Sequence, residues 1–143
     1  MGTLKYMHLG ITGTRRGLTE PQFNIIKKMV KEDGSLLTHF HHGDCMGVDV
    51  QVAMLFEDYQ PDVWIVSHPS KGPTRAHGPC DEVMRPKDYL VRDQDNVDAS
   101  DYFWAAPDGA ERVRSGTWAT VRMARRKGIP IVIVMPDGEI IYE

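Results

Sequence analysis

The feature that most limits how this chain can fold is a regular alternation of short apolar segments with longer amphipathic ones. The short segments are rich in β-forming residues. The longer ones place apolar residues three or four positions apart, which predicts strands and helices in turn. The predicted strands cover residues 5–12, 36–41, 62–67, 102–106 and 129–135, and the predicted helices cover residues 20–32, 48–59, 88–99 and 115–127.

This order of elements predicts a fold class. Strands that alternate with helices form right-handed βαβ crossovers and a parallel sheet. We therefore expect a single α/β domain over residues 1–143, a three-layer Rossmann-like domain with a mainly parallel sheet of about five strands. Residues 69–86 lack periodicity and are typical of a lid or binding loop, or simply of a variable surface loop. Residues 138–143 follow a Pro-Asp-Gly turn and can add an edge strand or hairpin.

Composition excludes several classes of protein. With 143 residues, 41% hydrophobic and 26% charged, the chain is typical of one globular domain. It has no apolar run near the ~20 residues that span a bilayer and no secretory leader, so we expect no membrane partner and a cytoplasmic location. Cys45 and Cys80 form no CxxC motif, so we expect neither a disulfide framework nor a zinc site, and we also expect no cofactor. A net charge of −3 makes nucleic acid an improbable partner.

The chemistry-bearing residues fall in loops that follow predicted strands. The first loop, GITGTRRGLT at residues 10–19, combines glycines with hydroxyl and guanidinium groups, which suits a phosphate. Its spacing matches neither GxGxxG nor GxxxxGK[ST], and a plain glycine-rich turn explains it as well.

Two further loops repeat this pattern. The second loop, HHGDCMGVD at residues 41–49, again opens a helix. The third, PDGAERVRSGTWATV at residues 107–121, places Ser115, Gly116 and Thr117 at a helix start directly after Arg114. Because loops at the carboxyl ends of parallel strands share one edge of the sheet, the three together predict a nucleotide or sugar-phosphate site at the switch point.

The three loops resemble those of the SLOG superfamily of Rossmann-like nucleotide-binding proteins, which includes the LOG phosphoribohydrolases, DprA and YspA-like proteins. The resemblance spans nearly the whole chain, and it implies a nucleotide-derived ligand and a homo-oligomer of two or more subunits. The ligand-binding residues that it implies are Thr12, Gly13, Thr14, Arg15, Gly43, Asp44, Gly47, Ser115, Gly116 and Thr117.

Four more residues are candidates for ligand contact. Pro107 and Arg114 belong to the third loop, next to the predicted helix start. His68 ends the third predicted strand, and together with Arg75 it can face a base or a phosphate, or belong to an ordinary surface loop. His39 and other nearby histidines do not have the spacing of a metal site.

The resemblance leaves two functions open. LOG phosphoribohydrolases carry a catalytic Glu three residues after the Thr of their GGxGTxxE motif, where this chain has Thr120. The first hypothesis is therefore a binding protein, such as a sensor or sequestering protein. The second is a nucleoside-monophosphate N-glycosidase or a deoxyribosyltransferase-like enzyme, which needs a replacement carboxylate. Asp44 is the preferred catalytic candidate, with Asp49 and Glu111 as alternatives and a capping role favoured for Asp49.

Several other side chains have open or weakly defined roles. Trp64 is expected in the core, and Trp104 and Trp118 flank the crevice in sequence, where either can stack on a base. Arg92 and Asn96, spaced i and i+4, suit either a ligand contact or a local structural link. Surplus apolar residues on the second and fourth helices predict a dimer interface; they are Met46, Met54, Phe56 and Met123.

Overall fold

The computed structural model describes residues 6–143, so the start of the first predicted strand, at Lys5, lies outside the described residues. The strands are β1 His8–Gly13, β2 His39–His42, β3 Trp64–Ser67, β4 Glu82–Val83, β5 Tyr102–Ala106, β6 Ile131–Val134 and β7 Ile140–Tyr142. The helices are α1 Glu20–Asp33, α2 Val48–Tyr59, α3 Tyr89–Asp98 and α4 Gly116–Lys127, with a 3-10 turn at Gly34–Leu36.

The sheet confirms the predicted fold class. Its strand order is β4-β3-β2-β1-β5-β6-β7, and every neighbouring pair is parallel except β6 and β7. Helices on both faces make three layers. The sheet has seven strands where the sequence predicted about five, because β7 joins as the edge strand and β4 forms inside the irregular segment 69–86.

The start of β2 is one of the strand boundaries that differ from the prediction. The sequence places a strand over residues 36–41, but Gly34–Leu36 continue α1 as a 3-10 turn and β2 begins at His39. Leu36 is 68% exposed, so its apolar side chain does not pack in the core beside the sheet.

The core lies on both faces of the sheet, because successive residues of a strand point to opposite sides. Leu9 and Ile11 face α1 and α2, whereas Phe103 and Ile133 face α4. Gly10 lets the turn after α3 approach β1, since a Cβ there would lie 2.3 Å from Oγ of Ser100.

The three tryptophans do not lie where the sequence suggested. Trp104 and Trp118 are 5% and 3% exposed and belong to the two cores, so neither is available to stack on a base. Trp64 is 46% exposed, and its Nε1 donates to Glu82, so the prediction of a core position is wrong. The physical reason is that α3 and α4 cover β1, β5 and β6 and leave this end of β3 uncovered.

None of the helices within residues 6–143 is long and apolar enough to cross a membrane.

Candidate functional site

A polar cleft of about 270 Å³ lies at the carboxyl ends of β1 and β5. Here the strand order reverses, with β2 on one side of β1 and β5 on the other, which makes it the switch point where open α/β sheets bind ligands. The cleft is lined by Ile11, Thr12, Gly13, Thr14, Arg15, Arg16, Cys45, Asp49, Tyr89, Arg92, Asp93, Asn96, Asp108, Arg112, Arg114, Ser115, Gly116, Thr117 and Thr120.

The cleft is lined by residues of all three predicted loops, but the predicted ligand residues in its lining come only from the first and the third. Those that line it are Thr12, Gly13, Thr14, Arg15, Arg114, Ser115, Gly116 and Thr117. Six other predicted ligand residues lie outside its lining: Gly43, Asp44, Gly47, His68, Arg75 and Pro107. The second loop instead contributes Cys45 and Asp49.

The first loop uses most of its backbone N–H groups internally. The amide of Thr14 donates to Ala106, and the amide of Gly17 donates to the carbonyl of Thr14 at 3.2 Å. The amide of Arg16 donates to the Thr14 hydroxyl at 3.1 Å, and that of Leu18 to Oε1 of Gln51 at 2.7 Å. This loop therefore contributes mainly side chains to the cleft, above all Arg15, because most of its backbone amides are already bonded.

Backbone amides at the N-terminus of α1 are also bonded within the protein. Thr19 and Gln22 form a reciprocal capping box. Nε2 of Gln22 also donates to the carbonyl of Pro107 at 2.9 Å, and the Thr19 hydroxyl donates to Pro136. Neither Thr19 nor Gln22 lines the cleft, so α1 does not direct its positive end at a ligand there.

The second loop braces the first. Gly47 has φ +88°, and a Cβ there would lie 2.5 Å from the carbonyl oxygen of Thr14. The amide of Val48 donates to that same carbonyl at 3.2 Å, while a carboxylate oxygen of Asp49 accepts from the amides of Gly43 and Cys45. The glycine pattern of this loop thus reflects close packing of two loops, and the amides of Gly43, Cys45 and Val48 are already bonded.

In the third loop, two backbone amides lack a hydrogen-bond acceptor among the described residues. Ser115 caps α4, its hydroxyl accepting from the amide of Trp118 at 3.2 Å. The amides of Gly116 and Thr117 belong to the first turn, where no intrahelical acceptor exists, and the helix dipole adds partial positive charge. Within residues 6–143 these two amides have no other acceptor, so the start of α4 is the part of the cleft best suited to an anion.

Helix α3 forms one wall of the cleft, and Arg92 is its anchor. Arg92 is 3% exposed. Its Nη1 donates to the carbonyls of Gly43 and His68, and its Nε donates to Asp93. The guanidinium also lies 4.8 Å from the ring centroid of Tyr89. Arg92 is therefore a structural link between two loops, and it also lines the cleft.

The cleft carries an excess of arginine over carboxylate partners. Arg112 pairs with Asp108 at 2.8 Å. Among residues 6–143 no carboxylate lies within ion-pair distance of Arg15, Arg16 or Arg114. The charges of these three guanidinium groups are therefore not neutralised by an ion pair within residues 6–143, which favours an anion in the cleft.

Two buried carboxylates face the arginines. Burial raises the pKa of Asp49 to about 6, although its backbone hydrogen bonds and Arg92 act in the opposite direction. Burial also raises the pKa of Asp93, against the lowering effect of Arg92. The pKa of the Cys45 thiol is raised by burial too, so this sulfur is not an activated nucleophile.

Asp44, the preferred catalytic candidate, lies outside the cleft lining, where its carboxylate holds two segments of the chain together. Its carboxylate is 1% exposed and accepts from Nε of Arg75 and from the amide of Gly78, both at 2.8 Å. Asp44 and Arg75 thus fix segment 69–86 to the second loop. Glu111 is also outside the lining, on the surface, where it pairs with Arg122 and Arg125.

His68 belongs to a row of imidazoles on one face of the sheet. Its Nε2 lies 2.9 Å from Nδ1 of His41, and Nε2 of His41 lies 2.8 Å from Nδ1 of His8. Burial lowers the pKa of His41 to about 3 and that of His68 to about 4. Among residues 6–143 no group of three or more His, Cys, Asp or Glu side chains is arranged to hold a metal ion.

Sequence reasoning missed Asp93 and Tyr89 as cleft residues. Neither belongs to a glycine-rich loop, and α3 follows the irregular segment 69–86, so only the tertiary fold brings them to the switch point. The i, i+4 spacing of Arg92 and Asn96 was the one sequence signal for this wall.

No protein-family model and no curated protein matches the sequence. Solved structures do resemble it. The molybdenum cofactor carrier protein from Chlamydomonas reinhardtii has a TM-score of 0.66 at 17% identity, over 90% of this chain and 76% of that one. The molybdenum cofactor binding protein from Rippkaea orientalis has a TM-score of 0.67 at 14% identity, over 93% and 78% of the two chains.

DNA processing protein A from Helicobacter pylori is a further structural neighbour. Its TM-score is 0.61 at 19% identity, over 89% of this chain and 64% of that one. Identities this low establish a shared fold and no more. The chain has the Rossmann-like fold of these proteins, which is consistent with its resemblance to the SLOG superfamily.

Proposed function

We propose that the cleft binds a small phosphorylated ligand of the nucleotide type. One observation carries this proposal: the open amides of Gly116 and Thr117 stand at the start of α4, beside Arg114 and in the same cleft as Arg15. Open amides at a helix N-terminus together with guanidinium groups are a favourable environment for a phosphate.

The structural neighbours support a ligand-binding role at the level of the fold. Two of them are described as binding or carrying the molybdenum cofactor and one as binding single-stranded DNA. For this chain we favour the small ligand. The cleft measures about 270 Å³ and the net charge is −3, and neither property suits a nucleic-acid strand.

The experiment compares nucleoside monophosphates with the matching nucleosides by calorimetry. Arg114→Ala and Arg15→Ala should each weaken binding of the phosphorylated ligand tenfold or more, because a charge-assisted hydrogen bond contributes about 1.5–3 kcal/mol. The control is Arg126→Ala, at an exposed arginine near the other end of α4. Equal weakening for nucleoside and nucleotide in a folded variant would refute a phosphate contact.

A second candidate function is hydrolysis or transfer at an N-glycosidic bond. It is favoured by the two buried carboxylates, Asp49 and Asp93, in a cleft where Thr120 leaves no acid on α4. A carboxyl group with a pKa near 6, as for Asp49, can serve as a general acid near neutral pH. Release of free base from a panel of nucleoside monophosphates, abolished by Asp49→Asn or by Asp93→Asn in a folded variant, supports the enzyme. Binding without release of base supports a sensor or sequestering protein.

We also propose that the chain forms a homo-oligomer. Met46 and Met54 are 60% and 50% exposed, which leaves apolar surface on and beside α2. Phe56 and Met123 are buried, so only two of the four apolar residues expected at an interface are available to it. Light scattering across a micromolar dilution series should return at least the dimer mass, and a monomer mass throughout would contradict this proposal.

A further inference from the structure

Asn96 presents a hydrogen-bond acceptor that the protein itself does not use. Its Nδ2 donates to the carbonyl of Ile11 at 3.2 Å, which identifies Oδ1 as the acceptor end of the amide. The residue is 3% exposed and lines the cleft, and its Oδ1 has no partner within residues 6–143. Buried acceptors in folded proteins are almost always paired, so this oxygen is suited to a donor supplied by a ligand.

Asp93 adds a second acceptor to the same wall. It precedes Asn96 by three residues on α3, and side chains at this spacing are neighbours about 5–6 Å apart at Cβ. One carboxylate oxygen accepts from Nε of Arg92. An ionised carboxylate has two oxygens that only accept, so Asp93 retains acceptor capacity in the cleft.

The helix that carries these acceptors reaches the proposed phosphate position at its N-terminal end, about one turn before Asp93 and two turns before Asn96. A Cβ at Gly116 would lie 2.6 Å from Oη of Tyr89, so the start of α3 touches the start of α4. The cleft volume of about 270 Å³ is below the roughly 300–1,000 Å³ that is usual for ligand pockets. A compact polar group such as a sugar phosphate suits this space.

We propose that Asn96 and Asp93 select a sugar phosphate with two neighbouring hydroxyl groups, of the ribose phosphate type. The hydroxyls donate to the two acceptors of α3 while the phosphate faces α4. A deoxy sugar offers a C–H bond in place of one donor and leaves an acceptor unpaired. This inference rests on the proposed function and adds the chemical group that α3 recognises.

The test measures binding of ribose 5-phosphate, 2-deoxyribose 5-phosphate and inorganic phosphate by calorimetry. The wild-type protein should prefer ribose 5-phosphate to its deoxy form by about tenfold or more. Asn96→Leu should bring that ratio to within about twofold. The control Gln94→Leu changes an amide of α3 that does not line the cleft, and it should keep the wild-type ratio. The ratio is taken on one variant at a time, so a loss of folded protein cancels.

The outcomes separate the two proposals. Equal affinity of the wild-type protein for both sugar phosphates overturns the role of α3 and leaves the phosphate site standing. Loss of the preference in Asn96→Leu but not in Gln94→Leu supports it. If Asn96→Leu does not fold, the wild-type ratio alone decides. If neither sugar phosphate nor inorganic phosphate binds the wild-type protein, the proposed function fails and this inference fails with it.

Discussion

Replacing Gly47 with alanine tests the contact between the first two loops, on which the geometry of the cleft depends. Gly47 has φ +88° and ψ −124°, a backbone conformation that residues with a Cβ rarely adopt. A Cβ there would lie 2.5 Å from the carbonyl oxygen of Thr14 and 2.6 Å from that of Arg15. Both obstacles are backbone atoms, so no side-chain rotation can relieve them.

Two costs add in this substitution. The disfavoured backbone conformation costs about 1–3 kcal/mol. Forcing a methyl group into a packed contact costs about 1–3 kcal/mol more. The sum, about 2–6 kcal/mol, is a large part of the 5–15 kcal/mol that is typical for the free energy of unfolding. At roughly 2–4 °C per kcal/mol for a domain of this size, we expect Tm to fall by about 5–20 °C.

Two control variants separate these costs. Gly128 has φ +79°, and a Cβ added there would meet no atom within 4 Å, so Gly128→Ala should lose only the conformational part, about 1–2 kcal/mol. Gly109 has neither a positive φ nor a close neighbour, so Gly109→Ala should be nearly neutral or slightly stabilising.

The assay is urea unfolding followed by circular dichroism, with ligand affinity measured on each folded variant. Gly47→Ala should also weaken ligand binding, because Thr14 and Arg15 must move to accept the methyl group. If Gly47→Ala is no more destabilising than Gly128→Ala, then the two loops are not in rigid contact, and the reasoning is refuted.

Two further predictions follow from buried titratable groups. With the pKa of His41 lowered to about 3 and that of His68 to about 4, the folded protein leaves both rings neutral where the unfolded chain binds protons, so stability should fall as pH drops from about 6.5 to 4. In urea titrations His41→Gln should flatten this fall. Asp49→Asn should steepen it, because the pKa of Asp49, raised to about 6, acts in the opposite direction. Arg92→Ala leaves Asp93 buried without its partner and should cost about 3–5 kcal/mol, whereas Arg125→Ala, at a partly exposed pair, should cost less than about 1 kcal/mol by the same assay.

Local periodicity was enough to predict most of the fold. Strands and helices differ in the spacing of their apolar residues, so β5 and α2 appear in the structure with the bounds that the sequence predicts. Strand β4 could not be predicted, because a two-residue strand has no period and depends on its pairing with β3. The exposure of Trp64 could not be predicted from the sequence either, because it depends on which strands the helices cover.

For the candidate site, the sequence by itself determined that glycine-rich loops follow parallel strands and therefore meet at one edge of the sheet. It could not distinguish a loop that faces a ligand from one that braces its neighbour, because both need glycine for close approach. The tertiary structure decided this: Gly47 packs against the first loop and Asp44 pairs with Arg75, whereas the amides at Gly116 stay open. The structure also brought Asp93 and Asn96 to the cleft, because the side of the sheet on which α3 lies depends on contacts between residues far apart in the chain.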